Sequence, residues 1–127
     1  MYKRQEQDLP LGSGSLVQYA FNEGSGATAF DSGGMGNHGA LTGDATYDPN
    51  TNDGSAYSLR LDGSGDGIDL GNLDVAGSQL TLAAWINAAS FPGSSRDPRI
   101  VSKATGNATS DHIYMLSTVR ALSLIHI

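Results

Sequence analysis

The sequence predicts an all-β fold, an antiparallel two-sheet β-sandwich, on three observations. Seventeen glycines in 127 residues argue against packed helices, because each glycine costs a helix roughly 1 kcal/mol relative to alanine. Short runs of β-forming residues alternate with polar turn clusters rich in Gly, Asp, Asn and Ser. No stretch longer than two turns carries helical spacing.

Residues 6–14, with Pro10 and the Gly12-Ser13-Gly14 run, read as a linker. A domain is expected over residues 15–121. Leu16 to Phe21 is its first expected strand, stopped by Asn22-Glu23-Gly24-Ser25-Gly26. Asp31 to Gly39 is a long loop with four glycines, and Ala45-Thr46-Tyr47 is a short extended piece ended by Asp48-Pro49-Asn50. Tyr57 to Asp62 alternates, which puts Tyr57, Leu59 and Leu61 on one face. The glycine-rich turn at 63–67 and Ile68-Asp69-Leu70 after it predict a hairpin. Leu80 to Ala88 has the strongest alternation and is apolar on both sides, as a central sandwich strand should be, with Trp85 in the core. Ile100 to Lys103 and His112 to Val119 complete the set.

The two ends read differently. Met1 to Gln5 is Met-Tyr-Lys-Arg-Gln and Leu122 to His126 is Leu-Ser-Leu-Ile-His. The codons TAT AAG AGA CAG, read on the opposite strand, become CTG TCT CTT ATA, so both ends can come from one inverted DNA repeat. Residues 1–5 and 122–127 are therefore expected to be translated adapter or transposon-end sequence, with an ordinary apolar strand at 122–127 as the alternative. On this reading the domain is truncated at its C-terminal side.

Composition narrows the partners. Thirteen acidic against seven basic side chains leave a formal charge of −6, a field that repels phosphate, so nucleic acid is not expected as a partner. No apolar run approaches the roughly 18 residues of a membrane span. Without cysteine there is neither a disulfide framework nor a thiolate metal site.

Four pieces occur in a fixed order: Val17 to Gly26, Asp31 to Gly39, Leu59 to Gly63 with Asp66 to Gly71, and Leu80 to Ile86. Together they resemble the laminin-G-like jelly-roll domains of the concanavalin A-like lectin/glucanase superfamily, over roughly residues 16–119. The chain departs from that family in lacking its closing strand and in having Gly67 where an aromatic usually stands. The resemblance implies an antiparallel jelly roll. It also implies an extracellular or cell-surface setting and a non-catalytic module that binds a polysaccharide, a glycan or another surface protein. The alternatives are a structural spacer without sugar affinity, or an accessory domain of a glycoside hydrolase whose catalytic part lies elsewhere.

Residue chemistry suggests the candidate contacts. Tyr47, Tyr57 and Tyr114 could stack on sugar rings through flat apolar faces with polar tips; Tyr19 has the same chemistry. Arg96 and Arg99 flank Asp97-Pro98 and could hold a carboxylate, although a solvated loop is the plainer reading. Asp31 and Asn37 offer oxygens to a structural calcium ion, which the family resemblance makes relevant, against a loop of side-chain-capped turns. Two other motifs fall away. Gly34 to Gly39 formally matches a dinucleotide loop but starts no helix. Asp62 to Gly67 opens like an EF-hand but has Leu73 where the closing glutamate belongs, so it reads as a turn. Retaining glycoside hydrolysis needs paired carboxylates, yet the glutamates are only Glu6 and Glu23. No enzyme is expected.

Overall fold

The computed structural model describes residues 15–51, 54–89, 98–106, 112–119 and 122–126. Among these residues the chain is all-β, without a helix, and every strand pairing is antiparallel. It divides into two compact units, Met1–Asp74 and Val75–Ile127.

Among the described residues the first unit holds five short strands: β1 (Thr28–Ala29), β2 (Gly39–Thr42), β3 (Thr46–Asp48), β4 (Ser58–Arg60) and β5 (Gly67–Asp69). One sheet runs β1-β2-β5, with Leu41 opposite Ile68 and Ala29 opposite Gly39. A separate pair joins β3 to β4, with Tyr47 opposite Leu59. Gly39 is buried, and a side chain there would meet Ile68, the Tyr19 hydroxyl and Leu70. Glycine at this position lets neighbouring side chains close over the strand.

The second unit contains β6 (Arg99–Ala104), β7 (His112–Val119) and β8 (Leu122–His126) in the order β6-β7-β8. Its central strand buries Tyr114, Leu116, Ser117 and Thr118. The β6–β7 register slips twice, between Arg99 and Val101 and between Lys103 and Ala104, and such bulges bend and twist a strand. Leu122–His126 pairs along β7 from Val119–Leu122 to Met115–His126.

Several sequence expectations are corrected. Leu16 to Phe21 forms no ladder, only a single bridge between Tyr19 and Asp31. The Gln18 N–H is taken by the Asp31 carboxylate at 2.9 Å instead of a strand partner, and Phe21 stands at φ 55°, a left-handed conformation that ends extension. The expected hairpin between 57–62 and 68–70 does not form. Instead β4 pairs with β3 and β5 pairs with β2, because the turn between them hands the chain from one sheet to the other.

Residues 80–88 are the largest departure. They belong to no strand, and Trp85 is 89% exposed. Alternation gives a segment an apolar face but no partner for its N–H and C=O groups, and a strand requires both. Leu82, Ala84 and Ile86 instead line an apolar hollow of about 300 Å³ with Ile100 and Leu116.

Candidate functional site

Asp31 fastens the loop that begins with it. Its Oδ1 accepts the N–H of Gln18 at 2.9 Å and of Gly33 at 2.8 Å, and Oδ2 accepts the Asn37 N–H at 3.1 Å. The Gln18 N–H is the main reason the carboxyl sits below the ordinary aspartate range; desolvation opposes it, and the Gly33, Asn37 and Met35 N–H groups reinforce it. The Asn37 side chain donates to the Leu16 carbonyl at 2.7 Å, and its main-chain carbonyl accepts the Tyr19 hydroxyl at 2.5 Å. His38 Nδ1 accepts the Asp31 N–H at 3.0 Å. Asp31 and Asn37, the two expected calcium ligands, are thus brought together. In this arrangement both Asp31 oxygens accept backbone N–H groups, and the Asn37 amide nitrogen donates to a backbone carbonyl.

The expected ligand-binding tyrosines are each engaged within their own unit. Tyr47 donates its hydroxyl to the Thr28 carbonyl at 2.7 Å. Desolvation, then the Glu23 carboxylate, push this phenol above its ordinary value. Tyr57 lays its ring where a side chain on Gly24 would stand. Tyr114 is buried in β7, with only 7% of its surface exposed. Arg99 is exposed at the start of β6. Arg96 lies outside the described residues. Tyr19, pushed up to about 12 by desolvation and then by the Asp31 charge, stacks on Phe21 with centroids 5.8 Å apart.

The strand exchange of the first unit gathers a different group. Asp44, Thr46, Arg60, Asp62 and Asp66 line an open cleft of about 290 Å³. Asp44 sits at the turn leaving β2, Thr46 and Arg60 face each other across the β3–β4 register, and Asp62 and Asp66 bracket the turn before β5. Asp66 ties these turns together, since Oδ1 accepts the Asp44 N–H at 2.8 Å and Oδ2 accepts the Asp62 N–H at 2.7 Å. Asp62 Oδ1 in turn accepts the Ser64 N–H at 2.7 Å.

Charge in the cleft is unevenly shared. The side-chain contact with Asp66, then the charges of Asp66 and Asp62, raise the Asp44 carboxyl above its ordinary value. The Asp62 N–H is the main cause holding Asp66 below it. Ligand oxygens of Asp44, Asp62 and Asp66 lie within 4.8 Å of one another. That spacing could admit a cation, and exposed carboxylates also gather without one. With Arg60 and Thr46 beside them, the cleft offers both donors and acceptors.

Sequence reasoning treats Asp62 to Gly67 as a turn and misses the convergence with Asp44. The only available signal is the pair Gly43-Asp44 after a short run, a second turn to dock against the first. Comparisons with protein-family models, with curated proteins and with solved structures found no match.

Proposed function

We propose that the chain acts as a non-catalytic glycan-binding or adhesion module within a secreted or surface protein, in the manner of a laminin-G-like jelly-roll domain. The carrying observation is the ordered set of four sequence pieces in one all-β chain. Three of these pieces contribute to strand pairings or to the Tyr19–Asp31 bridge of the first unit. In this reading the two-sheet sandwich is the architecture of the whole domain.

The cleft of Asp44, Thr46, Arg60, Asp62 and Asp66 is the proposed contact surface. Its volume of about 290 Å³ matches the lower end of small-ligand sites, at roughly 300 Å³, enough for one sugar residue. Carboxylates accept from sugar hydroxyls, and a guanidinium donates to them. Calcium belongs to the proposal as a structural ion of the domain, read by the chelator arm of the test below. Among the described residues no helix is long and apolar enough to cross a membrane.

A specific observation favours the spacer alternative. Tyr47 and Tyr57 spend a hydroxyl and a ring face inside the first unit, and Tyr114 is buried within the second, so each of these rings is already engaged in packing or hydrogen bonding of its own unit.

Retention on insoluble polysaccharides, with and without a chelator, separates the two readings. Under the binding reading the chain is retained, and Arg60→Ala weakens retention about tenfold, equivalent to about 1.4 kcal/mol. Failure of a folded chain to be retained on any polysaccharide leaves the spacer reading. Loss of retention in chelator alone assigns the ion a part in binding.

A further inference from the structure

We infer that Asp62–Gly63 is a site of spontaneous aspartate isomerisation, and that the fold protects the neighbouring Asp66–Gly67 pair from the same reaction. Aspartate before glycine is the sequence at which a backbone amide most readily attacks the preceding side chain, because glycine presents no Cβ to obstruct the approach. The chain has three such pairs, at 53–54, 62–63 and 66–67; Asp53 lies outside the described residues.

The reaction is balanced without any partner but water. The Gly63 nitrogen attacks Cγ of Asp62 in its acid form, a nitrogen–carbon bond forms, a carbon–oxygen bond breaks, and one water leaves with the amide proton. The resulting five-membered imide takes water back. Addition at the main-chain carbonyl, with rupture of its bond to nitrogen, leaves the backbone running through the former side chain and the carboxylate displaced. Addition at the side-chain carbonyl restores aspartate. Nothing is oxidised or reduced.

The two described pairs differ in what holds them. Asp62 is exposed, and its Oδ1 accepts the N–H two residues ahead, on Ser64. That side-chain turn brings the carboxyl to the side of the intervening Gly63 peptide, where attack begins. Gly63 stands at φ +88°, and apart from its chain neighbours nothing lies within 4 Å of the position a Cβ would take, so no packed group crowds this side of the glycine. Asp66 has both oxygens clamped, one by Asp44 N–H and the other by Asp62 N–H. Its glycine is fixed in β5 opposite Thr42. To react, Asp66 must surrender two charge-assisted bonds and a strand position.

The other side-chain turns of this type are disarmed by the residue after each aspartate. Asp31 precedes Ser32, whose Cβ hinders the approach. Asp48 precedes Pro49, which has no N–H, and Asp69 precedes the bulky Leu70. Isomerisation at Asp62 therefore has a local consequence: it moves one of three carboxylates out of the cleft and withdraws the acceptor of the Ser64 N–H.

The test is to age the full chain at neutral pH and physiological temperature, folded and in urea, and map its peptides by electron-transfer fragmentation, which separates the two aspartyl isomers. In urea both sites should accumulate the isomer at similar rates. In the folded chain Asp62 should continue to react, and Asp66 should fall at least about tenfold below it, the effect of roughly 1.4 kcal/mol on a barrier. Equal protection of the two sites, or a folded Asp62 as inert as Asp66, overturns the inference. The isomer map does not depend on polysaccharide retention, so the two proposals fail separately.

Discussion

Replacing Asp31 with alanine is expected to release the loop over residues 31–39 and the segment over 16–19 together. One carboxylate accepts the N–H groups of Gln18, Gly33 and Asn37, and a methyl group accepts none of them. Leaving part-buried donors without acceptors is more damaging than the mean worth of a hydrogen bond suggests, because each has already given up water. The Tyr19–Asp31 bridge and the Ser32 N–H to Gln18 carbonyl bond at 2.7 Å lose the anchor that holds them in register. The measurement is amide hydrogen exchange: protection at Gln18, Ser32, Gly33 and Asn37 should collapse in step, with the β3–β4 pairing retained. Loss at one of these amides alone would contradict the knot described here.

The same residue sets an acid limit. Asp31 titrates below its ordinary value in the folded chain, so its contribution is present above the unfolded carboxylate range, near roughly 3.9. It is lost as the pH falls through the lowered folded value. Asp31→Asn keeps the shape but no longer titrates, so this part of the acid dependence should vanish.

Gly43→Ala is the second large effect. The residue stands at φ +69°, where an L side chain costs roughly 1–2 kcal/mol. Its new Cβ would collide with the Asp66 carboxylate and stand 2.8 Å from the Gly65 carbonyl oxygen and 3.0 Å from the Asp66 Cα. Two of those three obstacles are backbone, which cannot swing aside, and overpacking of this kind costs roughly 1–3 kcal/mol. The total, about 2–5 kcal/mol, is a large share of the roughly 5–15 kcal/mol that holds an ordinary domain together. Gly63→Ala is the matched control, since it has the same left-handed backbone and open space around it. Urea midpoints should separate the two variants by the collision alone. Equal midpoints would mean that Gly43 and Asp66 are not in contact.

How far the sequence could be read depended on what each element needed. β6 and β7 were legible from Ile100 to Lys103 and from His112 to Val119 because each is a run of β-formers long enough to pair along its length. The class was legible too, since glycine-rich turns at short intervals exclude helices. Pairing was not. Tyr57 to Asp62 and Ile68 to Leu70 adjoin a glycine-rich turn and alternate as a hairpin should, yet they enter different sheets. The deciding contacts run from Asp66 to Asp44 and Asp62, and the first of these lies 22 positions away. Leu80 to Ala88 shows the converse. Its pattern is the strongest in the chain, but pattern supplies only a face, and Trp85 remains outside. At the site, the tyrosines have the ring chemistry that sugar stacking needs, and packing or hydrogen bonding uses them inside their own units. Asp31 offers carboxylate oxygens, and which backbone N–H groups they accept depends on loop geometry that the sequence does not carry.

The strand partners of the first unit determine whether the acidic cleft exists at all. Cross-strand nuclear Overhauser contacts measured on the full chain test them. The expected result is contacts between Leu41 and Ile68 and between Tyr47 and Leu59, the pairs that face each other in the two sheets. Contacts joining residues 58–60 directly to 67–69 as one hairpin would contradict it, because Asp44 would then have no reason to meet Asp62 and Asp66.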